Sequence, residues 1–360
     1  MKQALLLFAF IACLTTEASA AWTDNLTLSG DFRYRHEFIE QQGQETASRN
    51  RIRARVALKT EVTPGIDIVL QLATGDDNPV SVNQTLTDAA SSKPVRWDLA
   101  YCRIERDWLP GLTVDAGKVV NPWFRPGEWE MVWSNNLHPE GVSGRYARSF
   151  AGIDAKLIGG WFWVEERSKA LDSYMGGYQG VFAYDLSEAR LSRVTIGAAY
   201  YSYVNVRGWP TFYLEDNSFG NSVDTLGQYL TDFELVELSA QAEFVVHEIP
   251  IKPVFDYIFN TTADSLETGW LFGCEIGRAD SVGTIAARWS YREVEADAVL
   301  GAFTDGILGG GGSNVRGHDI SFDLMLAYHT MLRISYFDCK RNLQQPHDYR
   351  RVIVDLRLQF

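Results

Sequence analysis

Five arginines fall at alternating positions in two neighbouring stretches: Arg33 and Arg35 in the first, Arg51, Arg53 and Arg55 in the second. In an extended chain alternate side chains share a face, so each stretch presents its guanidiniums to one side. A guanidinium is always charged and grips carboxylate or phosphate oxygens through a planar fork, so such a face attracts anions. Asp31 and Glu37 lie on the same face as Arg33 and Arg35, which makes rigidifying ion pairs the competing reading. Opposite charge is concentrated further along, where segment 120–140 carries Glu128, Glu130 and Glu140 beside Trp123, Phe124, Arg125, Trp129 and Trp133.

Other residue patterns support little chemistry. The histidines show no metal-ligand spacing, with His318 and His329 eleven apart. Gly309–Gly312 lacks the Lys-Ser/Thr of a phosphate loop and reads as an external loop. No Ser/His/Asn set and no paired Asp with His stands out, so no catalytic residues are assigned. Asp76-Asp77 and other loop acids could bind Ca²⁺, although most such charges are simply solvated; no other cofactor or metal is implied. Cys102, Cys274 and Cys339 are widely spaced and odd in number, which suits small residues packed in strands better than disulfides or zinc.

The alternation that aligns the arginines runs through nearly the whole chain. Leu26, Leu28, Gly30, Phe32, Tyr34, His36 and Phe38 share one face, opposite Thr27, Ser29, Asp31, Arg33, Arg35 and Glu37. Ile52, Ala54, Val56 and Leu58 oppose Arg51, Arg53, Arg55 and Lys59 in the same way. Period two of this kind marks half-buried strands, and helical periodicity is nowhere sustained. Sixteen strands are predicted: 25–38, 49–62, 65–74, 94–106, 111–119, 141–149, 151–165, 177–186, 190–205, 233–247, 251–262, 267–278, 281–294, 315–328, 331–340 and 348–360. Short links alternate with longer ones, 263–266 being the exception.

These features predict an all-β, antiparallel transmembrane barrel with short periplasmic turns and longer external loops. One face of each strand then meets lipid and the other a wet lumen. Val95, Trp97, Leu99 and Tyr101 are assigned to lipid, as are Ile153, Leu157, Trp161 and Trp163, then Val236, Leu238, Phe244 and Val246, Phe255, Tyr257 and Phe259, and Ile285, Trp289 and Tyr291. Arg103 breaks its row and is placed at the interface near a turn, where an exposed charge costs little. Aromatic residues make 13% of a chain whose mean hydropathy is −0.15, which fits aromatic belts at the headgroups.

The two ends carry addresses. Lys2, the apolar run 4–14 and Ala18-Ser19-Ala20 read as a signal peptide over residues 1–20, leaving 21–360 as the barrel. Cys13 makes a poor lipobox. No later run of eighteen apolar residues follows, so a helical membrane protein is excluded. At the other end Phe360, Leu358, Leu356, Val354 and Val352 alternate with Gln359, Arg357, Asp355 and Arg351, Ile353 being the exception. A last strand ending on Phe resembles the signal read by the outer-membrane assembly machinery. The net charge of −13 survives removal of Lys2 and Glu17 together and argues against a nucleic-acid partner.

Leu72–Leu86 (LATGDDNPVSVNQTL) and Leu112–Phe124 (LTVDAGKVVNPWF), with Asp98–Tyr101 (DLAY) just before, resemble the putative porin family of Gram-negative bacteria. The opening strand LSGDFRYRHEF and Leu137–Val142 (LHPEGV) fit the same pattern. The resemblance implies a sixteen-stranded outer-membrane barrel with a channel role, no catalytic residues, and a third external loop, 120–140, folded inward as a constriction.

Closing such a barrel sets the last strand beside the first and brings Arg351 and Arg357 to the arginine wall. Counted from the strand ends, Arg33, Arg35, Arg51, Arg53, Arg55 and Arg351 fall in its outer half. Carboxylates on an infolded loop opposite this wall would create a transverse field in a narrow pore. The expected function is passive diffusion of small hydrophilic solutes with a preference for anions, in the cell outer membrane, with a homotrimer the usual state at this size. An outer-membrane hydrolase, or a structural or adhesive barrel with a filled lumen, are the alternatives.

Overall fold

The computed structural model describes residues 25–186, 191–214 and 217–360. The expected signal peptide and its cleavage point before Ala21 lie outside the described residues. The chain forms sixteen barrel strands. The first eight are β1 (Thr27–Gln41), β2 (Ala47–Thr63), β3 (Ile66–Thr74), β4 (Val95–Glu105), β5 (Leu112–Lys118), β6 (Glu140–Phe150), β7 (Ile153–Glu165) and β8 (Ser173–Asp185). The rest are β9 (Leu191–Val204), β10 (Phe233–Val246), β11 (Ile249–Asn260), β12 (Thr268–Gly277), β13 (Ile285–Val294), β14 (Val315–Ala327), β15 (Thr330–Arg341) and β16 (His347–Gln359). Each predicted strand is present, with ends moved by up to four residues, as at β8 and β13.

Neighbouring strands pair antiparallel in chain order, and β1 pairs with both β2 and β16, so the sheet closes and leaves no free edge. Phe360 extends the closing seam, exchanging both backbone hydrogen bonds with Gly30 at 3.0 and 3.1 Å. A Cβ on Gly30 would sit 2.4 Å from the Arg55 carbonyl and 2.6 Å from the Phe360 ring, so glycine is what lets that ring lie against β1.

The outer face is a continuous exposed apolar band that includes Leu28, Phe32, Phe38, Leu157, Trp161, Phe182, Ile196, Leu238, Phe255 and Phe322. A patch of that extent belongs against lipid rather than water. Aromatic side chains gather near both strand ends: Phe150, Tyr184 and Tyr328 toward the short turns, Trp97, Trp163 and Tyr174 toward the loops. The lipid assignments on β7, β10, β11 and β13 hold.

One assignment is overturned. A bulge at Asp98 pairs Gln71 with Leu99 but Leu72 with Trp97. The extra residue reverses every later side chain of β4. Val95 and Trp97 stay on the lipid side, whereas Leu99 and Tyr101 turn inward and are buried. Arg103 is therefore lumenal, not interfacial, and donates from Nε and Nη2 to the two Asp115 carboxylate oxygens at 2.8 and 2.9 Å. Asp98 itself is held by Gln71 at 2.6 Å and His138 at 2.9 Å.

The loops depart from a simple asymmetry. Four are long: L2 (75–94), L3 (119–139), L5 (205–232) and L7 (295–314). The other four external links, 42–46, 166–172, 261–267 and 342–346, are no longer than the turn at 278–284. Within L2, Gln84–Thr85 forms a two-residue ladder against Arg51 and Ile52 of β2, covering the wall above the end of β3.

Candidate functional site

The arginine wall forms where β16, β1 and β2 meet. Antiparallel register sets Arg33 opposite Arg357 on one side and opposite Arg53 on the other. Arg35 stands between Asp355 and Arg51 in the next row. The seven arginines singled out from sequence, Arg33, Arg35, Arg51, Arg53, Arg55, Arg351 and Arg357, are thus on one wall, and Arg49 joins them. They reach deeper than expected: Arg55 lies opposite Asp31, the fifth of the fifteen residues of β1, so the cluster begins below mid-wall and extends into the outer half.

Three carboxylates serve these eight guanidiniums. Asp355 accepts from Arg35 Nε and Nη2 at 2.6 and 2.8 Å and from Arg357 at 2.9 Å, with Arg33 at 3.9 Å. Glu37 pairs with Arg351 at 2.7 Å, with Arg49, and with Arg35 and Arg51 at 3.5 and 3.8 Å. Asp31 accepts from Arg53 and Arg55 at 2.8 and 2.6 Å. Both readings of the arginines therefore hold at once. The carboxylates brace the seam, and the cluster keeps five positive charges in excess.

L3 crosses the lumen as the resemblance implied. Its backbone is fastened to inward side chains of successive strands: Gln179 of β8 accepts from Phe124 N at 2.7 Å, Gln241 of β10 accepts from Gly127 N at 2.9 Å, and Arg288 of β13 donates to the Gly127 carbonyl at 2.7 Å. Arg292 of β13 donates to the Glu130 carbonyl and pairs with Asp305 of L7. At the tip, Pro126–Glu128 makes one tight turn with Gly127 at φ 59°, where a Cβ would strike the Trp129 ring at 2.1 Å. Trp129 is thereby folded back, with the Arg288 guanidinium 4.4 Å from its ring centroid.

The loop residues divide between two roles. Glu128, Trp129 and Glu130 line a cavity of about 230 Å³ whose other side is Arg33, Arg35, Arg51, Arg53, Arg351 and Arg357. Glu128 is exposed to it, while Ser134 and Asn135 hold the Glu130 carboxylate at 2.9 and 2.8 Å. Trp123 and Trp133 turn away from the cavity and pack on Tyr201, each with ring centroids 5.0 Å apart. Phe124 lies over Gly197 of β9, and the nearby Arg125 donates to the Trp133 carbonyl at 3.4 Å. Glu140 does not belong to the constriction, because it opens β6 and pairs with Lys118 at 2.8 Å on the rim.

The lumen is not wet throughout. L3, L5 and L7 bury an apolar cluster against β7–β12 that includes Met131, Trp133, Phe162, Tyr203, Phe233, Leu235, Ile258, Leu271 and Leu300. Hydrogen bonds lace these loops together: Ser134 N to the Phe303 carbonyl at 2.9 Å, and Asn221 of L5 to the Ala296 and Val299 carbonyls of L7 at 2.7 and 2.8 Å. The open polar space is displaced toward the arginine wall. Ile353, the exception in the terminal alternation, is an inward residue packed on Leu308 of L7, while Val352, Val354, Leu356 and Leu358 face lipid.

Arg288, Arg292, Arg333, Asp305 and Asn83 also line or brace the cavity and were not singled out from sequence. For Arg333 the signal was available, since it shares the inward parity of β15 with Ser335 and Phe337. Asn83 and Asp305 sit in loops, where no periodicity applies. In L2, Asp77 pairs with Arg96 at 2.7 Å. Among the described residues no group of three or more His, Cys, Asp or Glu is placed to hold a metal. In L3, burial holds the Arg125 guanidinium below its ordinary range, and burial with the nearby Asp305 carboxylate pushes the Glu130 carboxyl up.

Comparison with known proteins agrees with this architecture. The family model described as putative porin matches residues 39–226 and 229–360. No curated protein matches the chain. Among solved structures, the Salmonella typhi OmpF complex with daunomycin superposes with a TM-score of 0.58 at 12% identity, covering 94% of this chain and 99% of that one. A triple mutant of the Rhodopseudomonas blastica porin superposes with a TM-score of 0.52 at 11% identity, covering 93% and 100%.

Proposed function

The chain belongs to the putative porin family, an outer-membrane channel fold, and from that premise we propose that it conducts small hydrophilic solutes passively and prefers anions. One observation carries the preference: of eight arginines that share three carboxylates, six line the cavity, and the facing loop tip offers Glu128 as its exposed acid. In a confined, partly dehydrated passage an unbalanced wall charge raises the local concentration of the opposite ion. Recording in a planar bilayer under a KCl gradient tests this. Discrete openings with a reversal potential of anion sign are expected, and a cation-signed potential refutes the preference.

A second reading has its own observation. The apolar cluster beneath L3, L5 and L7 occupies much of the interior, as in a structural barrel without an open pore. Absence of conductance at high protein concentration would favour it. Family and fold favour a channel over a hydrolase. Export with cleavage before Ala21, recognition of the Val352–Phe360 strand by the assembly machinery, and a homotrimer complete the proposal; intact mass of the mature and of the native, detergent-solubilised protein tests the first and last.

A further inference from the structure

We propose that the row Arg357–Arg33–Arg53 is a binding site for a small tetrahedral dianion of the phosphate or sulfate type, so that the lumen captures such solutes instead of only passing anions. The inference deepens the channel reading and rests on it for its transport role. It starts from register: the three guanidiniums stand directly opposite one another on adjacent strands, and their row contains no carboxylate. Like charges in directly opposed cross-strand positions destabilise a sheet, the more so when buried, and Arg33 is only 6% exposed. A row of this kind is relieved by an anion that touches more than one member.

The neighbouring carboxylates fill that role only in part. Asp355 gives its fork to Arg35 one row away and accepts from Arg357 at 2.9 Å, with Arg33 no nearer than 3.9 Å, and Asp31 is shared by Arg53 and Arg55. Arg33 reaches instead to the neutral Asn83 amide oxygen. Donors remain: Nε of Arg33, Arg51, Arg351 and Arg357 are buried without a hydrogen-bond partner among the described residues. All four of these residues, with Arg35 and Arg53, border the same cavity, with Ser321, Ser335 and Asn135 as neutral donors on its rim.

Charge and shape select the ligand class. Adjacent strands lie about 4.8 Å apart, so one tetrahedral oxyanion can span two guanidiniums and present different oxygens to each. A halide offers no such directions, and a single carboxylate group neutralises one charge of the five in excess. Glu128 across the cavity further disfavours large polyanions that would press against it.

Equilibrium dialysis of radiolabelled inorganic phosphate against the full-length barrel in detergent, at fixed ionic strength, tests the site directly. Saturable binding is expected, displaced by sulfate but not by the same ionic strength of chloride, and weakened at least tenfold in Arg357→Gln. Arg357→Lys, which keeps the charge and loses the fork, should bind with intermediate strength, while Arg278→Gln on an exposed turn should leave binding unchanged. Non-saturable binding, or equal displacement by chloride, overturns the site whether or not any variant folds. A parallel bilayer recording separates the two readings. Chloride current that phosphate leaves unaffected, together with absent dialysis binding, removes the site and keeps the channel; saturable binding without any conductance keeps the site and removes the channel.

Discussion

Arg33 and Arg357 face each other directly across the seam at which β16 closes onto β1. The barrel thus places like charges at the one pairing that depends on its two termini meeting, and Asp355, next in the ladder, holds both sides together. Because Arg53 continues the row on β2, its charge belongs to the same field. Arg53→Glu should move the reversal potential in a salt gradient toward cations. An unchanged potential in a folded, conducting variant would remove this wall from control of permeation.

Asp355 is the structural counterpart of that field. It is buried, takes the bidentate fork of Arg35, and also holds Arg357. Removing one partner of a buried pair leaves an uncompensated charge and costs about 3–5 kcal/mol. Asp355→Asn should therefore lower the unfolding midpoint substantially, whereas the double change Arg35→Met with Asp355→Leu should recover much of the loss. Urea titration of both variants, read by tryptophan fluorescence, would show the recovery or its absence.

At the foot of the same seam, Phe360 lies over Gly30 on the lipid face. The ring covers backbone that glycine leaves bare, and both residues exchange ladder hydrogen bonds. Gly30→Leu should prevent closure by collision with the Arg55 carbonyl and that ring. Phe360→Ala keeps the backbone bonds and should lower the yield of folded barrel less severely. Comparing heat-modifiable gel mobility of the two tests the order of severity.

Much of this architecture is legible in sequence because period two translates directly into one lipid face and one inner face. The arginine wall followed from parity alone, since Arg33, Arg51 and Arg357 needed only the closing neighbour to meet. The bulge at Asp98 left no such trace: Leu99 and Tyr101 are apolar, and an apolar residue satisfies either face. Arg103 was the visible sign, an apparent violation that one extra residue resolves. The filled half of the lumen was also signalled, because β9 and β11 carry large apolar side chains on both faces, as at Tyr201 with Tyr200 and Ile258 with Tyr257. A strand apolar on both sides is buried on both sides. Which loops supply the inner partner cannot be read from periodicity, because L5 and L7 have none.

The carboxyl of Glu130 links the docking of L3 to pH. Burial and Asp305 raise its pKa in the folded state, so across the interval above the ordinary carboxylate range the folded loop holds more protons than the unfolded chain. Stability then falls as pH rises through that interval and is greatest below it. Glu130→Gln keeps acceptor oxygen for Ser134 and should flatten this dependence, raising the unfolding midpoint at alkaline pH more than at acid pH. Midpoints measured from pH 4 to pH 9 that change in parallel for both proteins would refute it.

The bulge makes an equally sharp claim about β4. With Asp98 as the extra residue, Arg103 points into the lumen toward Asp115, and Cys102 and Ile104 point to lipid. In a background with Cys102, Cys274 and Cys339 changed to Ser, Arg103→Cys in liposomes should react with a charged, membrane-impermeant thiol reagent, and Ile104→Cys should react only with an apolar one. Arg103→Leu removes a charge that Asp115 needs and should destabilise the barrel, whereas Cys102→Arg places a charge on the lipid face three residues from the turn end of β4 and should cost no more than about 2 kcal/mol, between the interfacial and mid-bilayer values. The reverse labelling pattern would mean that alternation runs unbroken through β4 and that no residue is inserted at Asp98.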